Sequence, residues 1–220
     1  CDATGDSLQF VAKHQLNGKG QRGASWTGKD GESLSFSLLL KPHFLPISYA
    51  YDISICIALA LHDCLNELRP GFKIKWPNDI YFKDKKVAGV LIENQMSKST
   101  YQNAVVGIGL NVNQTTFLDL PKAISLKQIL GVSFPVEKVL DRICETIEAR
   151  YLQLRSGKYE NLKDSYLKSM YRINEEQQFS AQNTPFTGRI INVLRNGRLL
   201  IDLQNGEHSD FDIKEIVFLK

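Results

Sequence analysis

The 220-residue chain lacks several features that would assign it to a specialised class of protein. No two of its four cysteines have the Cys-x-x-Cys spacing, and its four histidines are scattered along the sequence, so we expect no zinc site. No apolar run approaches the roughly 18 residues that a membrane helix needs, and no membrane contact is expected. The net charge is only +3, so composition does not indicate general nucleic-acid binding.

Composition instead describes an ordinary globular protein. Hydrophobic residues make up 43% of the chain and charged residues 23%, as in proteins with a packed core. Cys56 and Cys64 lie in an apolar-periodic stretch that favours buried free thiols, and reduced thiols indicate a cytoplasmic protein. The length suits one large and one small domain, which we predict at residues 1–172 and 173–220.

The periodicity of apolar residues predicts the order of the elements. Strands are expected at residues 8–12, 34–40, 72–76, 80–82, 87–92 and 104–112. Helices are expected at residues 48–68, with Ser48 as N-cap, from Pro135 to about Leu154, and at residues 159–170. Two Asn-Gly pairs, at residues 196–197 and 205–206, predict successive hairpins at the C-terminal end.

The densest motif is a glycine-rich loop from Gly18 to Trp26. Three glycines in six residues allow positive φ angles, and exposed amides in such a loop can cradle anionic oxygens. Lys19 and Arg22 add positive charge, while Trp26 offers a flat face. The glycines have the spacing of a dinucleotide fingerprint, but a polar segment follows them instead of a helix. The loop therefore predicts a site for a phosphate beside a planar group.

Three further motifs follow the loop in a fixed order. Residues 75–79 read Lys-Trp-Pro-Asn-Asp, residues 85–93 read Lys-Lys-Val-Ala-Gly-Val-Leu-Ile-Glu, and residues 107–113 read Gly-Ile-Gly-Leu-Asn-Val-Asn. In this order and spacing, the set resembles the catalytic domain of the biotin protein ligase family. The resemblance implies an α/β (α+β) fold with a mixed, largely antiparallel sheet, flanking helices and a small C-terminal SH3-like β-barrel domain.

The resemblance also implies a function. Members of the family form biotinyl-5'-AMP from biotin and ATP with Mg²⁺, then transfer biotin to a lysine of a biotin carboxyl carrier protein domain. By this resemblance, the catalytic residues are Lys86, Lys19 and Arg22. The biotin-binding residues are Gln15, Gly18, Gly20, Lys86 and Gly89. The nucleotide-binding residues are Lys19, Gln21, Arg22, Trp26, Asn78, Asp79 and Asn111, and Asp79 is also a candidate metal ligand.

The chain departs from the family pattern at several places. Lys19 stands where arginine is usual, so a bidentate fork is replaced by a point charge, and Gln21 stands where many members have a second arginine. A weaker hold on the adenylate is therefore expected. No Ser-Thr-Asn element precedes Gly18, which lowers the expected affinity for biotin. No helix-turn-helix segment precedes the ligase motifs, so a DNA-binding role is not expected.

Each residue also has a simpler interpretation. Lys86 belongs to a charged run at residues 83–86 that could be solvated, and Gly89 could mark a bulge. Trp26 could anchor its loop by packing, and Asp79 could cap a turn. Two other functions stay open, a lipoate–protein ligase and a non-catalytic biotin- or nucleotide-binding module. The Arg-Arg-x-Ser/Thr-Gly-Gly-Gly pattern of lipoate ligases is absent from the sequence, and a homodimer is left open.

Overall fold

The structure is a computed structural model that describes most of the chain. The described residues are 7–12, 18–20, 25–26, 28–29, 31–97, 101–118 and 120–219. The first eight strands, in chain order, are β1 (Ser7–Ala12), β2 (Gly18–Lys19), β3 (Ser25–Trp26), β4 (Ser33–Leu40), β5 (Phe72–Lys75), β6 (Asp79–Phe82), β7 (Lys85–Met96) and β8 (Tyr101–Asn111).

Six of these strands form one sheet in the order β1-β4-β8-β7-β6-β5, with every neighbouring pair antiparallel. Strand β4 shows why the sheet has two different faces. Leu34, Phe36, Leu38 and Leu40 are buried, while the serines between them point to the other side and are only partly covered. The first face carries the hydrophobic core, and the second is free to form a site.

The helices are α1 (Asp52–Leu68), α2 (Leu126–Leu130), α3 (Val136–Arg155) and α4 (Tyr159–Ser169). Helix α1 packs against α3, α4, β5 and β6, so it lies at the centre of the core. Its residues Ile53, Ile57 and Leu61 are fully buried. The expectation that no apolar run approaches the length of a membrane helix needs correction, because Ile47–Leu68 is long and apolar enough for a membrane span by length and composition. In the structure, that segment supplies core packing.

The C-terminal part of the chain forms a second sheet. Its strands are β9 (Glu176–Ala181), β10 (Thr184–Val193), β11 (Leu199–Leu203), β12 (His208–Phe211) and β13 (Ile216–Phe218), in the order β12-β11-β10-β9-β13. Gly197 and Gly206 have φ angles of 86° and 81° in the two predicted Asn-Gly turns. The α/β fold with a largely antiparallel sheet and a C-terminal β domain is confirmed. The boundary after residue 172 stays a prediction.

One local expectation was wrong and two elements were missed. Ser48 is not the N-cap of α1, because Ile47–Tyr49 form a 3-10 turn and α1 begins four residues after Ser48. Helix α2 was missed, although Ser125 and Gln128 form a capping box at its start. Strand β9 was missed because Gln182 and Asn183 turn the chain with positive φ angles without any glycine.

Candidate functional site

One cross-strand row brings the ligase-like motifs together. Lys75 pairs with Asp79, Asp79 with Gly89, Gly89 with Gly109, and Gly109 with Ser35 across five neighbouring strands. Directly paired residues share one face of a sheet, so these five positions lie side by side on the face opposite the core. Gly89, Gly109 and Ser35 form a shallow strip, which we call the small-residue floor.

Lys86 and Asp79 form an ion pair over this floor. Lys86 Nζ lies 2.8 Å from Asp79 Oδ2, and the two side chains are 34% and 27% exposed. A Cβ atom on Gly89 would lie 2.9 Å from both Cε and Nζ of Lys86 and 3.3 Å from Asp79 Oδ1. Gly89 is therefore the residue that makes room for the lysine to reach its partner, and the ammonium is held at the centre of the face.

Trp26 covers the other end of the floor. A Cβ atom on Gly109 would lie 2.2 Å from Trp26 Cε2, so the indole rests directly on the glycine backbone. Lys86 Nζ lies 6.0 Å from the centre of the Trp26 ring, at the outer range of a cation–π contact. The ring nitrogen Nε1 is buried and has no hydrogen-bond partner among the described residues. Trp26 and Lys86 thus border one common space.

The loop before β6 is fixed by its backbone and by Asn78. The carbonyl oxygen of Pro77 accepts hydrogen bonds from the hydroxyls of Tyr166, at 2.9 Å, and Tyr51, at 3.2 Å. Asn78 Nδ2 donates to the carbonyl oxygen of Val90 at 2.5 Å. Asn78 Oδ1 is buried without a partner among the described residues. These contacts hold the loop that ends at Asp79.

Asn111 has a comparable holding contact. It is buried, and its Nδ2 donates to the carbonyl oxygen of Ile124 at 3.2 Å. The same segment flanks the start of β7, because the Lys86 amide donates to the Lys122 carbonyl at 2.6 Å and the Ile124 amide to the Lys86 carbonyl at 3.0 Å. Asn111 therefore fastens the chain that runs beside Lys86.

Lys75 closes the row at the edge strand. Burial lowers the pKa of its ammonium, Asp79 opposes that effect, and the cations of Lys122 and Lys86 lower it further. Its Nζ lies 4.8 Å from the centre of the Tyr81 ring. It also lies 4.9 Å from the centre of the Phe218 ring of the C-terminal domain. Among its described residues, the site thus has two cations, Lys75 and Lys86, around the single carboxylate of Asp79, an arrangement suited to an anionic ligand.

Several predicted residues lie outside what the structure describes. Gln15, Gln21 and Arg22 are not among the described residues. In the short hairpin of β2 and β3, Gly18 pairs with Trp26 and Lys19 pairs with Ser25. This pairing fixes the backbone positions of Gly18 and Lys19. Within the described ranges, no group of three or more His, Cys, Asp or Glu could hold a metal ion.

Gly109 was not predicted as a site residue, although it lies in the Gly-Ile-Gly-Leu-Asn-Val-Asn motif of residues 107–113. A glycine inside a strand is itself a signal of close approach by another group. Here that group is the indole of Trp26.

Comparisons with known proteins agree with this architecture. The sequence model of the Biotin/lipoate A/B protein ligase family matches residues 5–111. The chain is 30% identical over 177 residues to the biotin–[acetyl-CoA-carboxylase] ligase of Paracoccus denitrificans, covering 77% of this chain and 73% of that protein. A solved biotin protein ligase from Aquifex aeolicus, in complex with biotin and ATP, superposes with a TM-score of 0.80 at 27% identity, over 96% of this chain and 88% of that one.

A further relative is longer than the chain. The bifunctional ligase/repressor BirA of Bacillus spizizenii is 29% identical over 202 residues, which cover 89% of this chain. The match spans only 62% of that relative.

Proposed function

We propose that this chain, which belongs to the Biotin/lipoate A/B protein ligase family, is an ATP-dependent biotin protein ligase. Biotin carboxylate attacks the α-phosphorus of ATP, which forms biotinyl-5'-AMP and releases pyrophosphate. A lysine amine of a biotin carboxyl carrier domain then attacks the biotinyl carbonyl carbon, and AMP leaves. The solved relative that holds biotin and ATP supports this assignment.

The Lys86–Asp79 ion pair is the observation that carries the proposal. The first step brings two anions together, the biotin carboxylate and the α-phosphate, and a fixed cation lowers the cost of their approach. Asp79 holds the Lys86 ammonium in place, and Gly89 leaves room above its backbone for both side chains. A lysine already oriented by a carboxylate pays little entropy when the reactants bind.

The remaining residues have matching proposed roles. Biotin lies along Gly89, with Gln15, Gly18 and Gly20 as further contacts of the ring. For Lys19, Gln21 and Arg22 we propose binding of the phosphates, and for Trp26 we propose that it covers the planar base or the adenylate. For Asn78 and Asn111 we propose positioning roles, because both amides donate to backbone carbonyls that hold the site.

Magnesium fits this site best as part of the substrate. Asp79 is the one carboxylate in the described row, and it is already paired with Lys86 at 2.8 Å. Mg²⁺ usually keeps several waters and binds through substrate phosphates with one or two carboxylates. We therefore propose that Mg²⁺ enters with the triphosphate of ATP and that Asp79 serves to orient Lys86.

A cytoplasmic location suits this activity. The reaction consumes ATP, and Cys56 and Cys64 are buried free thiols, as expected in a reducing compartment.

Biotin-dependent exchange of pyrophosphate with ATP tests the proposal. Lys86→Ala should lower the exchange rate by about two orders of magnitude, because one such electrostatic contact is worth roughly 3 kcal/mol. Lys73→Ala removes an exposed lysine from the same edge of the sheet and should leave the rate unchanged. Both variants should melt near the wild-type temperature.

Three outcomes count against the assignment. No exchange by the wild-type chain with biotin would reject adenylation of biotin. Exchange that requires lipoate in place of biotin would favour the lipoate–protein ligase. Equal rates for folded Lys86→Ala and wild type would remove Lys86 from the mechanism.

A further inference from the structure

Positive charge is concentrated in one short part of the chain. From Arg69 to Lys86 there are six lysine or arginine residues and two aspartates, a net charge of +4, whereas the whole chain has +3. The remaining 202 residues are therefore close to neutral. This stretch forms β5, β6 and the start of β7, so the excess charge lies at the edge of the sheet that carries Lys86.

The two aspartates of this stretch already have partners. Asp79 pairs with Lys86, and Asp84 pairs with Arg172 at 2.9 Å and accepts a hydrogen bond from the Tyr171 hydroxyl. Lys83 and Lys85 are exposed and have no ion pair within the described part of the chain. Their charges are thus available to a partner.

Lys122 extends this charge on the other side of Lys86. It is exposed, and its carbonyl accepts the Lys86 amide. Its ammonium lies close enough to influence the pKa values of both Asp84 and Lys75, so it belongs to the same cluster. A cleft of about 450 Å³ lies beside the turn between β6 and β7, and its lining includes Lys83, Lys85 and Ile124.

Two exposed apolar side chains lie in the segment that directly precedes Lys122 in the sequence. Leu118 is 83% exposed and Leu120 is 48% exposed. Apolar side chains bordered by charge are typical of a surface that binds another protein, whereas a small anion needs no exposed leucines. We call Lys83, Lys85 and Lys122, with Leu118 and Leu120, the basic rim.

We propose that the basic rim is the docking surface for the acceptor protein. The rim binds acidic side chains that surround the target lysine of the acceptor. The inference rests on the proposed ligase activity. The target lysine of the acceptor approaches Lys86 as a cation, and the rim adds further positive charge. The ligase surface therefore repels the target lysine. An acidic partner surface turns that repulsion into attraction, and complementary charge mainly raises the rate of encounter.

The double variant Lys85→Glu/Lys122→Glu tests this surface. We would measure two reactions at low and high salt, pyrophosphate exchange without acceptor and biotin transfer to an apo biotin carboxyl carrier domain. The exchange rate should stay within about twofold of wild type. The KM for the carrier should rise by about tenfold or more at low salt, and the difference should shrink as salt screens the charges.

Lys138→Glu is the matched control, because it reverses an exposed charge on α3. It should leave both reactions unchanged. The neutral variant Lys85→Gln/Lys122→Gln should give an intermediate KM. Leu118→Ser should raise the KM for the carrier without the same dependence on salt. A carrier whose acidic residues near the target lysine are changed to amides should bind wild type and the double variant equally.

The outcomes separate this inference from the proposed function. Absence of exchange in wild type would reject the ligase itself. Normal exchange with an unchanged carrier KM in the double variant would overturn the docking surface alone. An equal rise of the carrier KM in Lys138→Glu would attribute the effect to net charge. Competition by duplex DNA for the rim would identify a nucleic-acid surface instead. Either result would overturn the inference.

Discussion

Trp76 Nε1 donates a hydrogen bond to the carbonyl oxygen of Gly197 at 3.0 Å, across 121 residues of sequence. This bond joins the loop before β6 to the turn between β10 and β11. Gly197 also lies against Tyr51, because a Cβ atom there would be 2.4 Å from Tyr51 Cδ2. Tyr51 in turn contacts the Pro77 carbonyl. The C-terminal domain therefore supports the loop that places Asp79 beside Lys86.

Gly197→Ala should destabilise the protein more than Gly206→Ala. Both glycines have positive φ angles, so each substitution costs about 1–2 kcal/mol in backbone conformation. A Cβ atom at Gly206 meets nothing within 4 Å, whereas at Gly197 it overlaps Tyr51 and adds about 1–3 kcal/mol. Denaturant unfolding measures both costs. Equal losses would show that the turn does not press on Tyr51.

Tyr166→Phe should lower adenylation more than its effect on stability suggests. The change removes one buried hydrogen bond to Pro77, worth about 1 kcal/mol. The loop that carries Asp79 then loses part of its anchor, and small displacements of a reacting group cost about tenfold or more in rate. The exchange rate and the thermal melt are measured together.

Tyr101→Phe is the control for this prediction. It also removes a buried tyrosine hydrogen bond, to Asn94, on a part of the sheet away from Lys86. Its melt should shift by a similar amount with an unchanged exchange rate. A double-mutant cycle of Tyr166→Phe and Tyr51→Phe should be non-additive, because the hydroxyls of both tyrosines donate to the Pro77 carbonyl. Additive effects would contradict a shared anchor.

Gly109→Ala should displace the Trp26 ring, because its new Cβ atom would overlap the indole. The change should alter tryptophan fluorescence and lower the rate of adenylation. Gly107→Ala is the control in the same strand, since its Cβ atom meets the Leu91 carbonyl only at an ordinary 3.7 Å. In a Trp26→Phe background, the fluorescence effect of Gly109→Ala should disappear. A persistent change would place the disturbance elsewhere.

Asp52 should make stability fall as the pH rises from about 4 to about 6. Burial raises the pKa of its carboxyl from 3.8 to about 6, while the Arg195 and Lys163 cations oppose this and Glu160 adds to it. The folded state therefore keeps a proton that the unfolded state has lost, and the free energy of unfolding decreases through that window and is level above it.

Asp52→Asn should remove this part of the pH dependence. The melting temperature of the variant relative to wild type should rise between pH 4 and pH 6 and then stay constant. Asp141→Asn, an exposed change on α3, serves as the control and should show no such trend. A pH-independent difference for Asp52→Asn would mean that the carboxyl does not keep its proton in the folded state.

Local patterns predicted most elements because each element has its own periodic signal. The alternation of Leu34, Phe36 and Leu38 with serines predicted β4, and the recurrence of Ile53, Ile57 and Leu61 predicted α1. Helix α2 was missed because five residues are too short to show a helical period. Strand β9 was missed because its turn uses non-glycine residues with positive φ angles.

The sequence by itself determined which chemical groups the chain has and in which order. Lys86, Asp79, Gly89 and Trp26 were predicted as site residues from ordered motifs, and the α/β fold followed from the same resemblance. These assignments need only residue type and spacing along the chain, so they do not require knowledge of how distant strands pair.

Only the tertiary structure decided how those groups meet. The register of the β6, β7 and β8 strands places Asp79, Gly89 and Gly109 in one row, and a shift of one residue would turn each to the other face. The ion pair of Lys86 with Asp79 depends on that register. So does the contact of Trp26 with Gly109. Such contacts join strands far apart in sequence, where local residue patterns carry no information about register.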